Sequence, residues 1–305
     1  MNQPLLTVVV LTYMQQAYIA RCLDGIVSQK TSFPFVVFVV DDASTDSTPK
    51  IVQEYADKYP PLIKPILLKE NMFWTKKSFQ LKVLPHITSK YTAFCEGDDF
   101  WTFDGKLQQQ VEILEAHPEY SACCHQIEIK NEVNMPTPRQ TYLRKPRIIT
   151  PYELIIEHIS QTNTFVIRTE VLHQPESFWE IYRKVFPFTD ILIFAALSEM
   201  GSVYCLSEKW STYRLQANGI CTSSKLQLTP DQSQYIKERQ LIEEFYGKGS
   251  AMDKWMQLYE ALEQWTIFRR RGQYIHAFFK LGKAFIYHPG KFIRLYYNRY
   301  LNNHV

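Results

Sequence analysis

The feature that most constrains the fold is an alternation of apolar and amphipathic segments over the first 130 residues. Segments 5–13 (LLTVVVLTY) and 35–42 (FVVFVVDD) are apolar nearly throughout, as expected of strands buried on both faces of a sheet. Segments 17–29, 46–59 and 104–120 instead carry apolar residues at helical spacing. This β-α-β-α order predicts an α/β fold with a doubly wound, mostly parallel sheet flanked by helices.

The composition is typical of a globular intracellular protein. Of the 305 residues, 46% are hydrophobic and 21% are charged, which is enough for a large core and excludes global disorder. Six cysteines form no C-x-x-C pair, so we expect reduced thiols and a cytoplasmic location. The start MNQPLLTVVVLTY lacks the basic residues and cleavage site of a signal peptide, and no apolar run is long enough to cross a bilayer.

The charge is unevenly distributed along the chain. The net charge is only +3, but residues 265–305 carry eight Lys or Arg and no Asp or Glu, while the rest carries 26 basic and 31 acidic residues. In this tail five apolar residues share one predicted helical face: Ile275, Phe278, Phe279, Phe285 and Ile286. A basic, aromatic helix is typical of peripheral contact with an anionic membrane surface, and packing onto the rest of the protein is the alternative.

Two of the predicted strands end in acidic residues. These are Asp41 and Asp42 in one strand, and Glu96, Asp98 and Asp99 in another (YTAFCEGDDFW, 91–101). Ligands of open α/β sheets bind at the carboxyl ends of strands, and crowded carboxylates repel unless a cation neutralises them. If the two strands are close in the sheet, these oxygen ligands predict a Mg²⁺ or Mn²⁺ site that also holds a nucleotide diphosphate. The alternative is a pair of solvated turns.

Two other classes of nucleotide site are excluded. A dinucleotide-binding fold needs glycines in the first strand-to-helix turn, and LTYMQQAYIA has none. The phosphate-binding loop G-x-x-x-x-G-K-[ST] is absent as well. We therefore expect a metal, rather than a glycine-rich loop, to hold the phosphates.

Four segments together resemble the family 2 glycosyltransferases, which have the GT-A fold. TVVVLTYMQQAYIARCLDGIVSQ is similar to the family's opening strand and helix, VVDDASTDST to its VDDGSTDGT segment, CEGDDFW to its D-x-D-type metal motif, and PFTDILIFAALSEMGSVYCLSEKWSTYR to its acceptor region. We therefore expect a catalytic domain at 1–215 and a helical extension at 216–305. The chain departs from the family at Met14, where Asn is usual, and at Gln216, where His is frequent.

The resemblance implies roles for individual residues. Asp42 would bind the nucleotide base, uracil by the habit of the family, in a pocket lined by three residues at the end of the first strand: Leu11, Thr12 and Tyr13. Asp99 would ligate Mn²⁺ or Mg²⁺, and Asp98 would contact the metal or the ribose. Asp190 stands where the family keeps its general base, which takes the proton of the acceptor hydroxyl in an inverting displacement.

Four further residues are candidate contacts of the donor or the acceptor: Glu96, Lys77, Trp101 and Arg214. Lys77 would meet the diphosphate, or lie in a solvated helix start. Trp101 would stack on the donor sugar, or serve only in packing. Arg214 would bind phosphate, or form a surface ion pair. Asp41 and Asp46 are predicted instead to shape the loop or cap the following helix.

Together with the acidic strand ends, this resemblance predicts an inverting, metal-dependent glycosyltransferase of the hexosyl type that uses a nucleotide-sugar. By the habit of the family, the expected donor is a UDP-sugar. The resemblance implies a glycan or lipid-linked acceptor in bacterial surface polysaccharide or glycoconjugate synthesis, reached from the cytoplasm at the inner membrane face. No nucleic-acid-binding motif is present. The alternatives are an inactive sugar-nucleotide-binding protein, a membrane adaptor, or a sugar-nucleotide pyrophosphorylase, which should carry a glycine-rich basic loop that this sequence lacks.

Overall fold

The computed structural model describes most of the chain, which forms two compact units at 1–227 and 228–305. The described residues are 3–72, 82–133, 142–149, 153–154, 159–177, 180, 190–216, 247, 249, 251–287 and 289–296. The predicted division into a catalytic domain at 1–215 and an extension at 216–305 stays a prediction.

The described part of the first unit contains a nine-stranded sheet with helices packed against it. The strands are β1 (Leu6–Thr12), β2 (Phe35–Asp41), β3 (Ile63–Leu67), β4 (Tyr91–Glu96), β5 (Phe100–Trp101), β6 (Tyr120–Asn131), β7 (Arg147–Ile149), β8 (Val166–Arg168) and β9 (Ser202–Leu215). The helices are α1 (Ile19–Val27), α2 (Thr48–Lys58), α3 (Lys106–Ala116) and α4 (Asp190–Met200). The strand order is β3-β2-β1-β4-β8-β6-β9-β5, and β7 pairs with β9. The predicted α/β class is confirmed.

The first half of the sheet is parallel, as predicted. β1 pairs in parallel with both β2 and β4, and β2 pairs in parallel with β3. The apolar segments are buried because helices cover them: Val8 and Val10 of β1 and Val37 of β2 share one core with Ile19 and Leu23 of α1. Continuous apolar strands are thus explained by burial on both faces.

The second half of the sheet is mixed rather than mostly parallel. β8 runs antiparallel to both β4 and β6, while β6 and β9 form a long parallel pair. β5 and β7 are antiparallel to β9. This half brings β9 beside the acidic turn that follows β4, because β5 continues directly from that turn.

The second unit is helical in its described part, as predicted for the C-terminal extension. It contains α5 (Ala251–Arg270), α6 (Tyr274–Tyr287) and α7 (Pro289–Tyr296). Within the described residues of the whole chain, no helix combines the length and apolarity needed to cross a membrane.

Candidate active site

The end of β1 lies between the acidic ends of β2 and β4. Just beyond the strands, the Asp42 N–H donates to the Thr12 carbonyl over 3.0 Å, and the Gly97 N–H donates to the Leu11 carbonyl over 2.9 Å. Since β2 and β4 are each one strand from β1, they lie about 10 Å apart. The acids therefore form two groups that flank β1, rather than one crowded cluster.

The turn after β2 is shaped by its own acids. Asp41 accepts hydrogen bonds from the Ser44 N–H (2.9 Å) and from the Ser44 hydroxyl (2.5 Å). Asp46 accepts from the N–H of Thr48 (2.9 Å) in the first turn of α2 and from the N–H of Gln16 (3.2 Å). Asp41 and Asp46 thus shape this loop, which is one of the two roles predicted for them.

The loops after β1 and β2 are held against each other in strained conformations. Met14 and Ala43 have φ values of 54° and 63°, in the left-handed region that disfavours residues with a Cβ. These are positions where the resembling family has Asn and Gly, residues that tolerate this region. The Met14 N–H donates to the Ser44 hydroxyl over 2.8 Å, which ties the two loops together.

The end of β1 offers an apolar surface beside Asp42. Leu11 and Tyr13 are 39% and 50% exposed, although both are large hydrophobic residues. The partly exposed Asp42 is held by the Met72 N–H, which donates to Oδ1 over 2.8 Å. Thr12 is buried, and its hydroxyl donates to Gln15 Oε1 over 2.8 Å. The structure thus brings Leu11, Tyr13 and Asp42 together at the surface, while the Thr12 side chain points inward.

In the turn after β4, Asp99 is enclosed by the protein. It is 1% exposed, and both of its oxygens accept hydrogen bonds from distant parts of the chain. The Asn163 Nδ2 donates to Oδ2 over 2.6 Å, and the Arg214 N–H donates to Oδ1 over 2.9 Å. Asp99 is therefore positioned by β9 and by the short 3₁₀ turn Thr162–Thr164 that precedes β8.

Asp98 is the more accessible acid of this turn. It is partly exposed, and Gln216 Nε2 donates to its Oδ2 over 2.9 Å. Gln216 stands where the resembling family often has a His. The structure therefore places this departure from the family directly on the acidic turn.

Burial and mutual repulsion disfavour the ionised forms of the two aspartates in the acidic turn. Burial raises the pKa of Asp98, and it raises the pKa of Asp99 well above its ordinary value, with added repulsion from Asp98 and Glu96. In the described residues, no group of three His, Cys, Asp or Glu side chains is arranged to hold a metal alone. The donors present suit Mg²⁺ or Mn²⁺, which bind one or two carboxylates and complete their shell with water and phosphate.

A glycine lets the acidic turn lie against β1. A Cβ on Gly97 would be 2.7 Å from Thr12 Oγ1 and 2.8 Å from Thr12 Cβ. Thr12 is branched and buried, so it has little room to retreat. The Gly between Glu96 and Asp98 is therefore a requirement of packing.

Arg214 connects β9 to the acidic turn. Its Nε donates to the Asp98 carbonyl over 2.8 Å, and its guanidinium pairs with Glu132 Oε1 over 2.6 Å. The guanidinium also lies over the rings of Tyr18 (4.8 Å) and Phe100 (5.3 Å). Arg214 is buried, so the structure supports an ion pair, but one enclosed by aromatic rings rather than at the surface.

Trp101 packs inside the protein. It is 2% exposed, and its indole N–H donates to the Asn163 carbonyl over 2.8 Å. The Lys106 ammonium lies 4.2 Å from the indole ring, and burial lowers the pKa of Lys106 to about 7. The structure therefore favours packing, the alternative left open for Trp101, over stacking on a sugar.

Three other predicted site residues stay predictions. Asp190 begins α4, as an acid preceding a helix was expected to do, but its side chain lies outside the described part. Lys77 lies outside the described residues altogether. Glu96 is partly buried at the end of β4.

Sequence reasoning missed one residue that organises the site. Asn163 is fully buried and forms hydrogen bonds with three parts of the site. Its side-chain amide donates to Asp99, its carbonyl accepts from the Trp101 indole, and its Oδ1 accepts from the Ser211 hydroxyl at 3.3 Å. It lies 64 residues from Asp99 in the chain and belongs to no motif. No signal in a single sequence would have identified it.

Residues 7–184 match the sequence model of Glycosyl transferase family 2. An uncharacterized protein of Mycobacterium tuberculosis is 36% identical over 219 residues, covering 72% of this chain and 61% of that protein. This chain thus spans less than two thirds of that relative. The putative teichuronic acid biosynthesis glycosyltransferase TuaG of Bacillus subtilis is 26% identical over 224 residues, covering 72% of this chain and 83% of TuaG.

Among solved structures, S. aureus TarS 1–349 in complex with UDP has a TM-score of 0.61 to this chain at 20% identity. The alignment covers 95% of this chain and 82% of that one. This likeness concerns the fold alone, and it confirms the predicted GT-A architecture.

Proposed function

Because this chain belongs to glycosyl transferase family 2, we propose that it moves a hexosyl group from a UDP-sugar to a glycan hydroxyl with inversion of the anomeric centre. The observation that carries the proposal is the flanking of the exposed end of β1 by two groups of acids. One group would hold the base and the other the metal and diphosphate, so a nucleotide-sugar would span the end of β1.

The base would bind at Asp42. A carboxylate accepts a hydrogen bond from the ring N–H of uracil, and Tyr13 and Leu11 offer the adjacent apolar surface. The hydrogen bond from the Met72 N–H holds Asp42 in place before the donor arrives. The solved complex of TarS with UDP, which shares the fold, supports UDP as the first nucleotide to test.

The diphosphate would bind at the acidic turn. Asp98 and Asp99 would hold Mn²⁺ or Mg²⁺, with Asp98 offering the more accessible oxygens. The bound ion would offset the negative charge on the departing nucleoside diphosphate. Arg214 and Asn163 would keep the turn in place, since they bind Asp98 and Asp99 through the carbonyl and carboxylate oxygens.

Asp190 would act as the general base. A sugar hydroxyl is a weak nucleophile at neutral pH, so a carboxylate within hydrogen-bond reach must accept its proton as it attacks the anomeric carbon. Asp190 begins α4, where a fixed helix start would position it.

The acceptor we propose is a glycan or lipid-linked glycan of a bacterial surface polysaccharide or glycoconjugate. The name of TuaG, a putative teichuronic acid biosynthesis glycosyltransferase, supports this class. A lipid-linked acceptor would be met at the inner face of the cell membrane, with the enzyme acting from the cytoplasm.

The test is a screen of UDP-, GDP- and dTDP-sugars for donor hydrolysis with Mn²⁺, comparing the unchanged chain with Asp190→Asn. We expect UDP-sugar hydrolysis that is lost with a metal chelator. The Asp190→Asn variant should bind UDP-sugar and Mn²⁺ normally but lose turnover. Normal turnover in that variant would refute the base assignment, and binding without turnover in the unchanged chain would favour the inactive sugar-nucleotide-binding protein.

A further inference from the structure

Helix α6 of the second unit turns its large apolar side chains to solvent. It packs along α5, and among its described side chains the two that are buried are alanines, Ala277 and Ala284. Four larger residues are instead 68–73% exposed: Ile275, Phe278, Phe279 and Ile286. A helix of a soluble protein normally does the reverse and buries its aromatic residues.

The exposed apolar residues form one continuous face. With 100° per residue, the two alanines lie within about 20° of each other around the helix axis, and the four large residues centre on the opposite side. Phe285 is also exposed, and its ring meets Phe292 of α7 edge-on at 5.7 Å. We call Ile275, Phe278, Phe279, Phe285 and Ile286 the outer face of α6. A contiguous apolar patch of this kind marks a binding surface.

The charge of the segment that carries the outer face identifies its partner. Lys283, Arg269 and Arg271 are exposed, Lys280 is partly exposed, and residues 265–305 contain no acid. An apolar helix face with basic neighbours complements a bilayer surface, where acyl chains lie beneath anionic headgroups. A second copy of the chain would instead bring two uniformly basic segments together, and their repulsion opposes that arrangement.

We propose that α6 docks the protein on an anionic lipid bilayer, with its outer face among the acyl chains and its lysines at the lipid phosphates. Its 14 residues span about 21 Å, less than the roughly 30 Å hydrocarbon core, so α6 lies on the membrane rather than across it. Membrane docking would serve the proposed function by bringing the protein to a lipid-linked acceptor, and in that respect it rests on the proposed function. Lipid binding itself is measured without donor or turnover, so it can be tested separately.

The first test is flotation of the full chain with vesicles of phosphatidylcholine, alone or mixed with phosphatidylglycerol. We expect binding to the anionic vesicles that falls with added salt, and a loss of at least about tenfold in Phe278→Ser/Phe279→Ser. Ile148→Ser is the matched control, because Ile148 is 49% exposed but belongs to the first unit. It should bind like the unchanged chain. Absent binding, or equal binding by the double serine variant, would overturn the proposal.

A second test reports insertion directly. In Phe278→Trp, brominated lipids should quench tryptophan fluorescence more than in the unchanged chain. Lys280→Glu/Lys283→Glu should weaken binding several-fold and reduce its salt dependence. If the unchanged chain is a dimer without lipid and the double serine variant is a monomer, the face binds a second copy and the proposal fails. Donor hydrolysis in the absence of vesicles tests the catalytic proposal separately.

Discussion

The two acidic strand ends divide their acids in the same way. After β2, Asp41 is 1% exposed and bound by Ser44, while Asp42 is partly exposed. After β4, Asp99 is 1% exposed and bound on both oxygens, while Asp98 is partly exposed. In each pair, one acid is buried against the protein's own donors, and the other, although it also accepts a hydrogen bond, is more accessible to a ligand. Adjacent carboxylates thus differ in their accessibility to a ligand because their burial differs.

The two ends differ in where the restraining groups come from. Ser44 is three residues from Asp41, so the first turn is specified locally. Asp99 is held from 64 and 115 residues away, by Asn163 and Arg214. The first turn is therefore readable from its own short segment, whereas the second requires the mixed half of the sheet to be in place.

The largest expected effect is on stability, from Asp99→Ala. It leaves the Asn163 amide and the Arg214 N–H without an acceptor in buried surroundings, and each such loss costs about 1–3 kcal/mol. We expect the free energy of unfolding in urea to fall by about 3 kcal/mol. Asp98→Ala, at a partly exposed acid, should cost about 1 kcal/mol or less. Equal losses in the two variants would contradict the division of roles.

For the acids after β2, the comparison between Asp42 and Asp41 is made through ligand binding. Asp42→Asn keeps an oxygen for the Met72 N–H but removes the charge offered to the base, so UDP affinity should fall about 10- to 100-fold. Asp41→Asn should leave UDP affinity unchanged and lower the free energy of unfolding by about 1 kcal/mol. Titration calorimetry with UDP separates the two, and a larger loss of affinity from Asp41→Asn would reverse the assignment.

The acidic turn after β4 should show a pH dependence of its own. The pKa values of Asp98 and Asp99 are raised, so metal binding to their ionised forms must displace protons. Mn²⁺ affinity should therefore increase as pH rises above the ordinary Asp pKa of about 4, by at most about tenfold per unit for each displaced proton. Calorimetry at several pH values measures the slope, and Asp98→Asn should flatten it. A flat profile in the unchanged chain would show that these acids do not bind the ion.

The smallest expected effect comes from Ala43→Gly. A left-handed conformation costs a residue with a Cβ about 1–2 kcal/mol, so replacing Ala43 with Gly relieves this strain. The greater entropy of Gly in the unfolded state offsets part of that stabilisation. The free energy of unfolding should rise by about 0.5 kcal/mol. Gly97→Ala should have the opposite sign, because a Cβ there meets Thr12. Thermal denaturation of both variants compares the two turns, and a destabilised Ala43→Gly would mean that the strain is absent.

The sequence predicted the parallel half of the sheet well for a physical reason. Strands such as β1 and β2 are buried on both faces, and their helices α1 and α2 carry apolar stripes, so the pattern of side chains encodes the local structure. The antiparallel β8 has only three residues, too few to show a periodicity, and its pairing with β4 and β6 depends on contacts distant in sequence.

By itself, the sequence determined which residue types gather at the ends of β2 and β4, because strand ends and turns are local features. It also determined the basic and apolar character of α6. Only the tertiary structure decided that β1 separates the two acidic groups, that Asp99 is enclosed while Asp98 is accessible, and that α6 turns its aromatic residues outward. Burial depends on which distant segments pack against a residue, and neighbours in sequence do not specify that packing.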